Sequence, residues 1–291
     1  MEGSVIPEVR VFFDESTRTA TYLVVDPDTK QCAIIDPVLD YNADTGRTAT
    51  LAAERVARAV KTDGLTVAWL LETHVHADHL SAAPWLQSRL GGRTGIGKEI
   101  AAVQQVFAEL YNLGPGFVAD GREFNHLFAD GERFEIGALQ GRVLHTPGHT
   151  PADVSYLIGD TALVGDTLFM PDYGTARADF PGGDARTLYR SIQKILALPP
   201  ETRVFTAHDY KAPGRDDFAW ESTVADQRAA NVHVHEGVTE EAFVALRTTR
   251  DATLAMPALL LPAVQVNIRA GRLPEPERNG RRYLRIPLDS L

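Results

Sequence analysis

Residues 74–79 read His-Val-His-Ala-Asp-His, and this cluster constrains the fold of the chain more than any other feature of its sequence. It directly follows the apolar run 67–71, which predicts a buried strand because the run is short and continuous. Imidazoles two residues apart in an extended turn can converge on one cation, and Asp78 and His79 offer a further oxygen and nitrogen. The cluster therefore predicts a metal site where this strand ends. The alternative is that Asp78 caps the next helix while the histidines are merely exposed. In either case, we expect Asp78 and His79 to open that helix.

Three further candidate ligands follow strand-like segments downstream. Asp166 comes after the apolar run 162–164, His208 comes after 204–206, and His149 ends a Thr-Pro-Gly turn. Taken singly, each is more typical of a turn residue than of a metal ligand. Because all three share the strand-end setting of the first cluster, together they favour a metal centre. The remaining histidines lack this setting, so no metal role is predicted for His126, His145, His233 and His235.

The order of predicted elements indicates an α/β chain with a C-terminal extension. An antiparallel meander is expected within the first 36 residues. Helices are predicted at 50–61, 100–110, 184–198 and 240–250. Beyond about residue 212 the chain becomes polar and rich in arginine. We therefore expect a catalytic domain at 1–211 and, at 212–291, an extension that packs on the same domain.

Charge and cysteine usage exclude several classes of protein. The formal net charge of -10, from 29 Lys+Arg and 39 Asp+Glu, argues against a nucleic acid or an anionic membrane as the main partner. No apolar run approaches the roughly 20 residues that span a bilayer. Cys32 is the one cysteine, and its apolar surroundings in sequence favour a buried, inert thiol. Because residues 1–4 also lack the pattern of a secretory leader, we expect a cytoplasmic protein.

The cluster, taken with His149, Asp166 and His208 in that order, resembles the ligand pattern of the metallo-β-lactamase superfamily. The resemblance spans roughly residues 4–210. It implies an αββα sandwich, in which two mixed sheets pack face to face with helices outside. It also implies that the ligands lie on loops at one edge of the sheets. The predicted meander and the succession of αβ segments agree with this fold.

The segments that flank these residues resemble a narrower group, the persulfide dioxygenases (also called sulfur dioxygenases), and its bacterial subgroup labelled β-lactamase-like hydrolase. The resemblance rests on residues 165–169, 174–180, 187–189, 207–210 and 261–271. It implies one iron(II) ion per chain, held by His74, His149 and Asp166. Two imidazoles and one carboxylate are the ligand set of many non-haem iron oxygenases. The implied reaction converts glutathione persulfide, O₂ and water into sulfite and glutathione.

Four more residues are expected to act at this site, and of these Arg177 matches an arginine of the family that the chain resembles. Asp78 and His208 are expected to be catalytic, orienting the water or carrying its proton. Arg177 and Tyr210 are expected to bind glutathione, whose two carboxylates need cationic and polar partners. For Arg177 the alternative is an ion pair with Asp179. For Tyr210 it is a position in the core or in a lid.

Two other functions stay open at this point. A dinuclear thioester hydrolase similar to glyoxalase II would use the same seven potential ligands, with Asp166 shared by both metals. A catalytically silent metal-binding or adaptor protein is the third alternative. The flanking segments favour the dioxygenase. We also expect a homodimer, although the sequence does not indicate an interface.

Overall fold

The computed structural model describes residues 6–290, so the segment 1–4, with its prediction of no leader, lies outside the described residues. The strands are β1 (Glu8–Asp14), β2 (Thr19–Val25), β3 (Gln31–Ile35), β4 (Val38–Asn42), β5 (Arg47–Ala49), β6 (Thr66–Leu71), β7 (Leu80–Ser81), β8 (Arg93–Gly97), β9 (His126–Phe128), β10 (Arg133–Ile136), β11 (Leu139–His145), β12 (Val154–Ile158), β13 (Thr161–Leu163), β14 (Arg203–Phe205) and β15 (Glu221–Thr223). The helices are α1 (Leu51–Thr62), α2 (Ala83–Leu90), α3 (Ile100–Leu110), α4 (Ala185–Leu196), α5 (Val224–Ala230), α6 (Glu240–Asp251) and α7 (Leu260–Asn267).

Two six-stranded sheets form the centre of the fold. The first has the order β1-β2-β3-β6-β8-β9 and the second has the order β10-β11-β12-β13-β14-β15. Both sheets are mixed, because β6 runs parallel to β3 and β8 while β13 runs parallel to β14. A small sheet, β5-β4-β7, lies beside them. The predicted meander is confirmed as β1 to β3, which pair antiparallel in sequence.

The central strands of the first sheet, β2, β3 and β6, are buried over most of their length. Along β2, Tyr22 and Val24 belong to the core between the two sheets, while Leu23 and Val25 belong to the core under the helices. Successive side chains of a strand point to opposite faces, so a strand covered on both sides is apolar at almost every position. This explains why residues 22–25 of β2 and residues 67–71 of β6 are continuous apolar runs in the sequence.

Helices cover the outer face of each sheet. Helices α1, α2 and α7 pack on the first sheet, and α4, α5 and α6 pack on the second. In α4, Leu188, Ile192 and Ile195 lie three or four residues apart and are fully buried. Asp184 caps this helix by accepting a hydrogen bond from the backbone N–H of Thr187, at 2.7 Å. The predicted αββα sandwich is therefore confirmed.

The helix after the first cluster does not begin at Asp78 and His79, as the sequence predicted. Residues Leu80–Ser81 instead form β7, which pairs antiparallel with β4. Helix α2 begins at Ala83, with Pro84 in its first turn. The pairing partner is some forty residues away in sequence, so a local helical pattern could not reveal it.

The chain beyond residue 212 contributes to both layers of the sandwich. The predicted helix at 240–250 is confirmed as α6, whereas α5 and α7 were not predicted. Helix α7 is buried over most of its length and therefore lacks the alternation that marks a surface helix. Strand β15 extends the second sheet. None of the helices in residues 6–290 has the length and apolar character needed to cross a membrane.

Candidate metal centre

Four strands deliver the candidate ligands to one site. Strand β6 leads into the loop of His74, β11 into the loop of His149, β13 into that of Asp166 and β14 into that of His208. All four side chains are buried. In open α/β sheets, functional residues collect outside the carboxyl ends of the strands. In the sequence these residues were recognised by their position after predicted strands, and the fold places them just beyond the ends of those strands.

The three predicted iron ligands lie together. Nε2 of His149 is 3.5 Å and Nε2 of His74 is 3.9 Å from Oδ2 of Asp166. One donor atom from each residue lies within 4.8 Å of the other two. Donors bound to one metal at about 2.1 Å are themselves about 3 Å apart, so the triad needs only a small contraction to hold a cation.

Several buried donor atoms in this site have no hydrogen-bond partner among residues 6–290. They are Nε2 of His74, Nδ1 of His76, Nε2 of His79, Nε2 of His208 and Oδ1 of Asp166. A buried polar atom without a partner costs about 1–3 kcal/mol. Five such atoms in one place, all of types that coordinate metals, fit a bound cation.

Hydrogen bonds to the opposite ring nitrogens fix the tautomers of the histidines. Nδ1 of His149 donates to the carbonyl oxygen of Arg177 at 2.8 Å. Nδ1 of His208 donates to the carbonyl oxygen of Arg18 at 3.1 Å. A carbonyl oxygen can only accept, so Nδ1 carries a proton in both rings and Nε2 is the nitrogen that faces the other donors of the site. Metal-bound histidines are commonly oriented in this way.

Asp36 holds residues of the first cluster in place through hydrogen bonds to its carboxylate. Its carboxylate accepts hydrogen bonds from the backbone N–H and the hydroxyl of Thr73, at 2.7 and 2.9 Å, and from Nε2 of His76 at 2.9 Å. Because the Thr73 hydroxyl donates to Asp36, its oxygen accepts from Nδ1 of His74, at 2.9 Å. His74 and His76 thus each use one ring nitrogen for a protein acceptor and leave the other, Nε2 of His74 and Nδ1 of His76, for a metal.

The charges around the site favour a cation. Burial, followed by the neighbouring imidazoles of His76 and His149, holds the pKa of His74 well below 6.5. Burial also acts to lower the pKa of His208, but the carboxylates of Asp166 and Asp78 outweigh it and raise that pKa to about 9. A positive charge is thus stabilised between these groups, and a divalent metal can supply it in place of a proton.

A second group of donors lies beside the triad. Nδ1 of His79 donates to Oδ2 of Asp78 at 3.0 Å, and the hydroxyl of Thr19 donates to the same oxygen at 3.0 Å. Nε2 of His208 lies 3.3 Å from Oδ1 of Asp166 and 3.5 Å from Oδ2 of Asp78. The two predicted catalytic residues, Asp78 and His208, are therefore adjacent to the triad. Asp78 also belongs, with His76 and His79, to a second group whose donor atoms lie within 4.8 Å of one another, the spacing that a second cation needs.

The site opens into a cleft of about 680 Å³, the size of a small-molecule pocket. Asp78, His149 and Asp166 line the cleft, as does Tyr210. The Tyr210 ring stacks beside the imidazole of His208, with 5.6 Å between the ring centroids. Tyr210 is therefore part of the cleft wall beside the metal centre.

Arg177 also lines the cleft, but its guanidinium is already engaged. Nε and Nη2 donate to the two carboxylate oxygens of Asp179 at 2.5 and 2.7 Å, and Nη1 donates to the carbonyl oxygen of Ala255 at 2.7 Å. The ion pair that the sequence left as an alternative is thus present. A part for Arg177 in substrate binding stays a prediction.

A buried ion pair that the sequence analysis missed supports the loop beside His149. Arg247 is 1% exposed and donates to Asp251 at 2.9 Å and to the carbonyl oxygen of Thr175 at 3.0 Å. Asp251 in turn accepts from the backbone N–H of Ala178, at 2.9 Å. These bonds hold the loop whose backbone carbonyl orients His149. The only sequence signal was an i,i+4 pair of opposite charge, which is typical of exposed helix faces.

The remaining histidines and the cysteine have other environments. The ring of His233 accepts a hydrogen bond from the backbone N–H of Thr175 at 3.1 Å, and His126 pairs with Glu132 at 2.5 Å. Cys32 is fully buried, and burial raises the pKa of its thiol to about 12. A thiol with so high a pKa is unreactive at neutral pH.

The chain is similar to known proteins over most of its length. The metallo-β-lactamase superfamily profile matches residues 17–208. A probable metallo-hydrolase of Burkholderia pseudomallei is 56% identical, and the match covers 97% of this chain and 99% of that protein. Glyoxylase B2 of Dictyostelium discoideum is 48% identical, with 98% of both chains covered. Persulfide dioxygenase ETHE1 of Mus musculus is 31% identical, covering 90% of this chain and 88% of that protein. Among solved structures, ETHE1 from Myxococcus xanthus superposes with a TM-score of 0.72 at 31% identity, covering 91% of this chain and 100% of that one.

Proposed function

This chain belongs to the metallo-β-lactamase superfamily, and from that premise we propose that it is a glutathione persulfide dioxygenase that uses one iron(II) ion per chain. One persulfide, one O₂ and one water give one glutathione, one sulfite and two protons. The S–S bond breaks, and the outer sulfur loses electrons to O₂. The two atoms of O₂ and the oxygen of water account for the three oxygens of sulfite.

The observation that carries this proposal is the triad of His74, His149 and Asp166. Their donor atoms lie within 4.8 Å of one another, and in both rings the other nitrogen, Nδ1, donates to an oxygen of the protein. These two imidazoles and one carboxylate would hold the iron(II) ion, and the same ligand set serves many non-haem iron oxygenases. The likeness to the persulfide dioxygenase of Mus musculus, over nine-tenths of this chain, supports the same assignment.

Iron(II), when bound, supplies the one-electron chemistry that allows O₂ to react with a closed-shell sulfur compound. The residues of the chain do the rest. The Arg177 carbonyl and the Thr73 hydroxyl hold the rings of His149 and His74 in fixed orientations. Asp78 and His208, adjacent to the triad, orient the water and take up its proton.

The cleft binds the glutathione part of the substrate in this proposal, with Tyr210 as a wall beside the reacting sulfur and Arg177 as a polar partner. We keep three further predictions as part of the proposal. The chain is divided at residue 211 into a catalytic domain and an extension, it works as a homodimer, and it is cytoplasmic.

A dinuclear hydrolase of glutathione thioesters, similar to glyoxalase II, is the second candidate. The observation that favours it is the second donor group, in which Nε2 of His79 and Nε2 of His208 are buried without partners beside Asp78 and Asp166. Two of the relatives named above, one of them 56% identical, also carry hydrolase or glyoxylase names. In this reaction Asp166 would bridge two metals.

Metal content and oxygen uptake, measured on the same sample, separate the two candidates. Protein purified without oxygen should contain one iron per chain and should consume one O₂ for each sulfite formed from glutathione persulfide. A hydrolase would instead contain two metals and would cleave S-lactoylglutathione under nitrogen. Two metals per chain without oxygen uptake would overturn the dioxygenase proposal.

The Asp166→Ala variant tests the triad directly. It should lose both the metal and the oxygen uptake, because it removes a carboxylate that both neighbouring imidazoles face. His235→Ala is a matched control, since His235 is exposed and belongs to neither donor group. If Asp166→Ala keeps its iron while His235→Ala behaves as the parent protein, Asp166 is not a ligand.

A further inference from the structure

The charge of the cleft is opposite to that of the chain. The protein carries a formal net charge of -10, yet four arginines line the cleft. They are Arg18, Arg177, Arg247 and Arg250. The acidic residues of the lining are Asp78 and Asp166, and both face the metal centre. Beyond the centre, the charged side chains that line the cleft are therefore all cationic, and such a cleft concentrates anions.

Two of these four arginines are neutralised by carboxylates of their own. Arg177 pairs with Asp179 on both oxygens, and the buried Arg247 pairs with Asp251. Each ion pair holds a loop in place, and the paired guanidinium has little charge left to attract a ligand. The cationic character of the cleft is thus carried by the other two arginines.

Arg18 and Arg250 form no ion pair among residues 6–290, and both are exposed. The guanidinium of Arg250 lies over the ring of Tyr173, at 5.9 Å from its centroid. The guanidinium of Arg18 lies over Phe218 at 5.8 Å, and Nη1 makes a long hydrogen bond of 3.4 Å to the Tyr210 carbonyl oxygen. Aromatic faces position an arginine without neutralising it, so both remain free to bind an anion.

A row of aromatic rings joins these arginines to the metal centre. The ring of Tyr210 lies 5.6 Å from that of His208, and the ring of Tyr173 lies 5.4 Å from that of Tyr210. Arg250 continues the row beyond Tyr173, and Arg18 contacts the backbone of Tyr210. A ligand with one end at the metal can therefore extend along this wall toward both cations.

We propose that Arg18 and Arg250 form a carboxylate-binding subsite that selects substrates with anionic groups remote from the reacting sulfur. This inference rests on the proposed function in one respect, namely that the substrate is a derivative of glutathione. An extended tripeptide spans about 10 Å, so its two carboxylates lie well away from a sulfur held at the metal. A planar guanidinium binds a carboxylate through two parallel hydrogen bonds, which gives direction as well as charge.

Binding of S-methylglutathione to the purified protein under nitrogen, measured by calorimetry, tests the subsite without any reaction. Arg250→Met and Arg18→Met should each weaken binding roughly tenfold, the effect of one charge-assisted hydrogen bond pair at an exposed site. Added salt should weaken binding by the parent protein more than binding by the double variant. The dimethyl ester of the same ligand should bind all of these proteins equally weakly.

Arg58→Met is the matched control, because Arg58 is an exposed arginine on α1 that does not line the cleft. It should bind S-methylglutathione as the parent does. The subsite is disproved if the parent protein does not bind the ligand, if the double variant binds it as tightly as the parent, or if the control loses as much affinity. If the variants lose affinity but no protein consumes O₂, the proposed reaction fails while the subsite stands.

In enzyme that is active on glutathione persulfide, the same variants should raise KM by a larger factor than they lower kcat.

Discussion

Asn267, at the end of α7, fastens the first ligand cluster to the C-terminal part of the chain. Its side-chain NH₂ group donates to the carbonyl oxygens of His76 and His79 at 2.9 and 2.8 Å. Its side-chain oxygen accepts from the backbone N–H of Ser81 at 2.8 Å. One buried amide thus satisfies three backbone groups of the loop that carries the candidate ligands. Replacement of Asn267 by alanine removes all three bonds at once.

The size of the effect follows from these three bonds. Each hydrogen bond contributes about 1 kcal/mol net, so Asn267→Ala should lower the free energy of unfolding by about 3 kcal/mol. The loss of stability is larger where water cannot reach the backbone groups that are left without a hydrogen-bond partner. Because the released carbonyls belong to two residues of the ligand cluster, the loop should also lose its fixed shape. Loss of groups that orient metal ligands lowers metal affinity about 10- to 100-fold.

Gln265→Ala provides a control on the same helix. Gln265 is equally buried, and its amide exchanges two hydrogen bonds with the backbone of Arg285, away from the metal centre. It should cost about 2 kcal/mol of stability by the same reasoning. Its metal affinity should stay that of the parent protein.

Urea unfolding of the metal-free proteins and competition with a chelator measure the two quantities separately. The expected result is that both variants are destabilised, whereas Asn267→Ala alone binds metal more weakly. The reasoning is refuted if Asn267→Ala keeps the metal affinity of the parent, or if Gln265→Ala loses affinity to the same extent.

Two further predictions follow from single positions. Gly148→Ala should lower both stability and metal content, since Gly148 has φ +140° and a Cβ there would lie 2.3 Å from the backbone of Leu188, next to the candidate ligand His149. Gly114→Ala is the control, because Gly114 has φ +73° and open space around it, and it should cost only about 1 kcal/mol. Equal losses in the two variants would contradict the steric argument. His233 should make stability depend on pH, because burial and then two nearby arginine charges lower its pKa to about 4, below the 6.5 of an unfolded histidine. Between pH 4 and 6.5 the unfolded chain binds a proton at this histidine that the folded chain does not bind. The stabilisation by His233 is therefore complete above pH 6.5 and falls by up to about 3 kcal/mol as the pH is lowered to 4. His233→Asn should remove this part of the pH dependence of the free energy of unfolding, measured by urea titrations at several pH values, and an unchanged pH dependence would show that His233 is not its source.

Much of the candidate site could be read from the sequence because it depends on local order. A buried strand delivers the polar residues that follow it to the edge of its sheet, so His74, His149, Asp166 and His208 were recognisable one strand at a time. The αββα architecture followed from resemblance and from the alternation of strand and helix patterns. The start of α2 was predicted wrongly because β7 pairs with a strand some forty residues away.

What the sequence by itself determined is therefore the kind of donors present, which follows from side-chain chemistry. The layered fold that presents them was implied by the resemblance to a superfamily, and the period of apolar residues agreed with it. Only the tertiary structure decided which nitrogen of each ring faces the centre and which arginines stay free of carboxylates. It also decided that Asn267 secures the ligand loop. These outcomes depend on contacts such as Asn267 with His76, across 191 positions of the chain. No local pattern records such a contact, because the hydrogen-bonding groups meet only after the sheets and helices have packed.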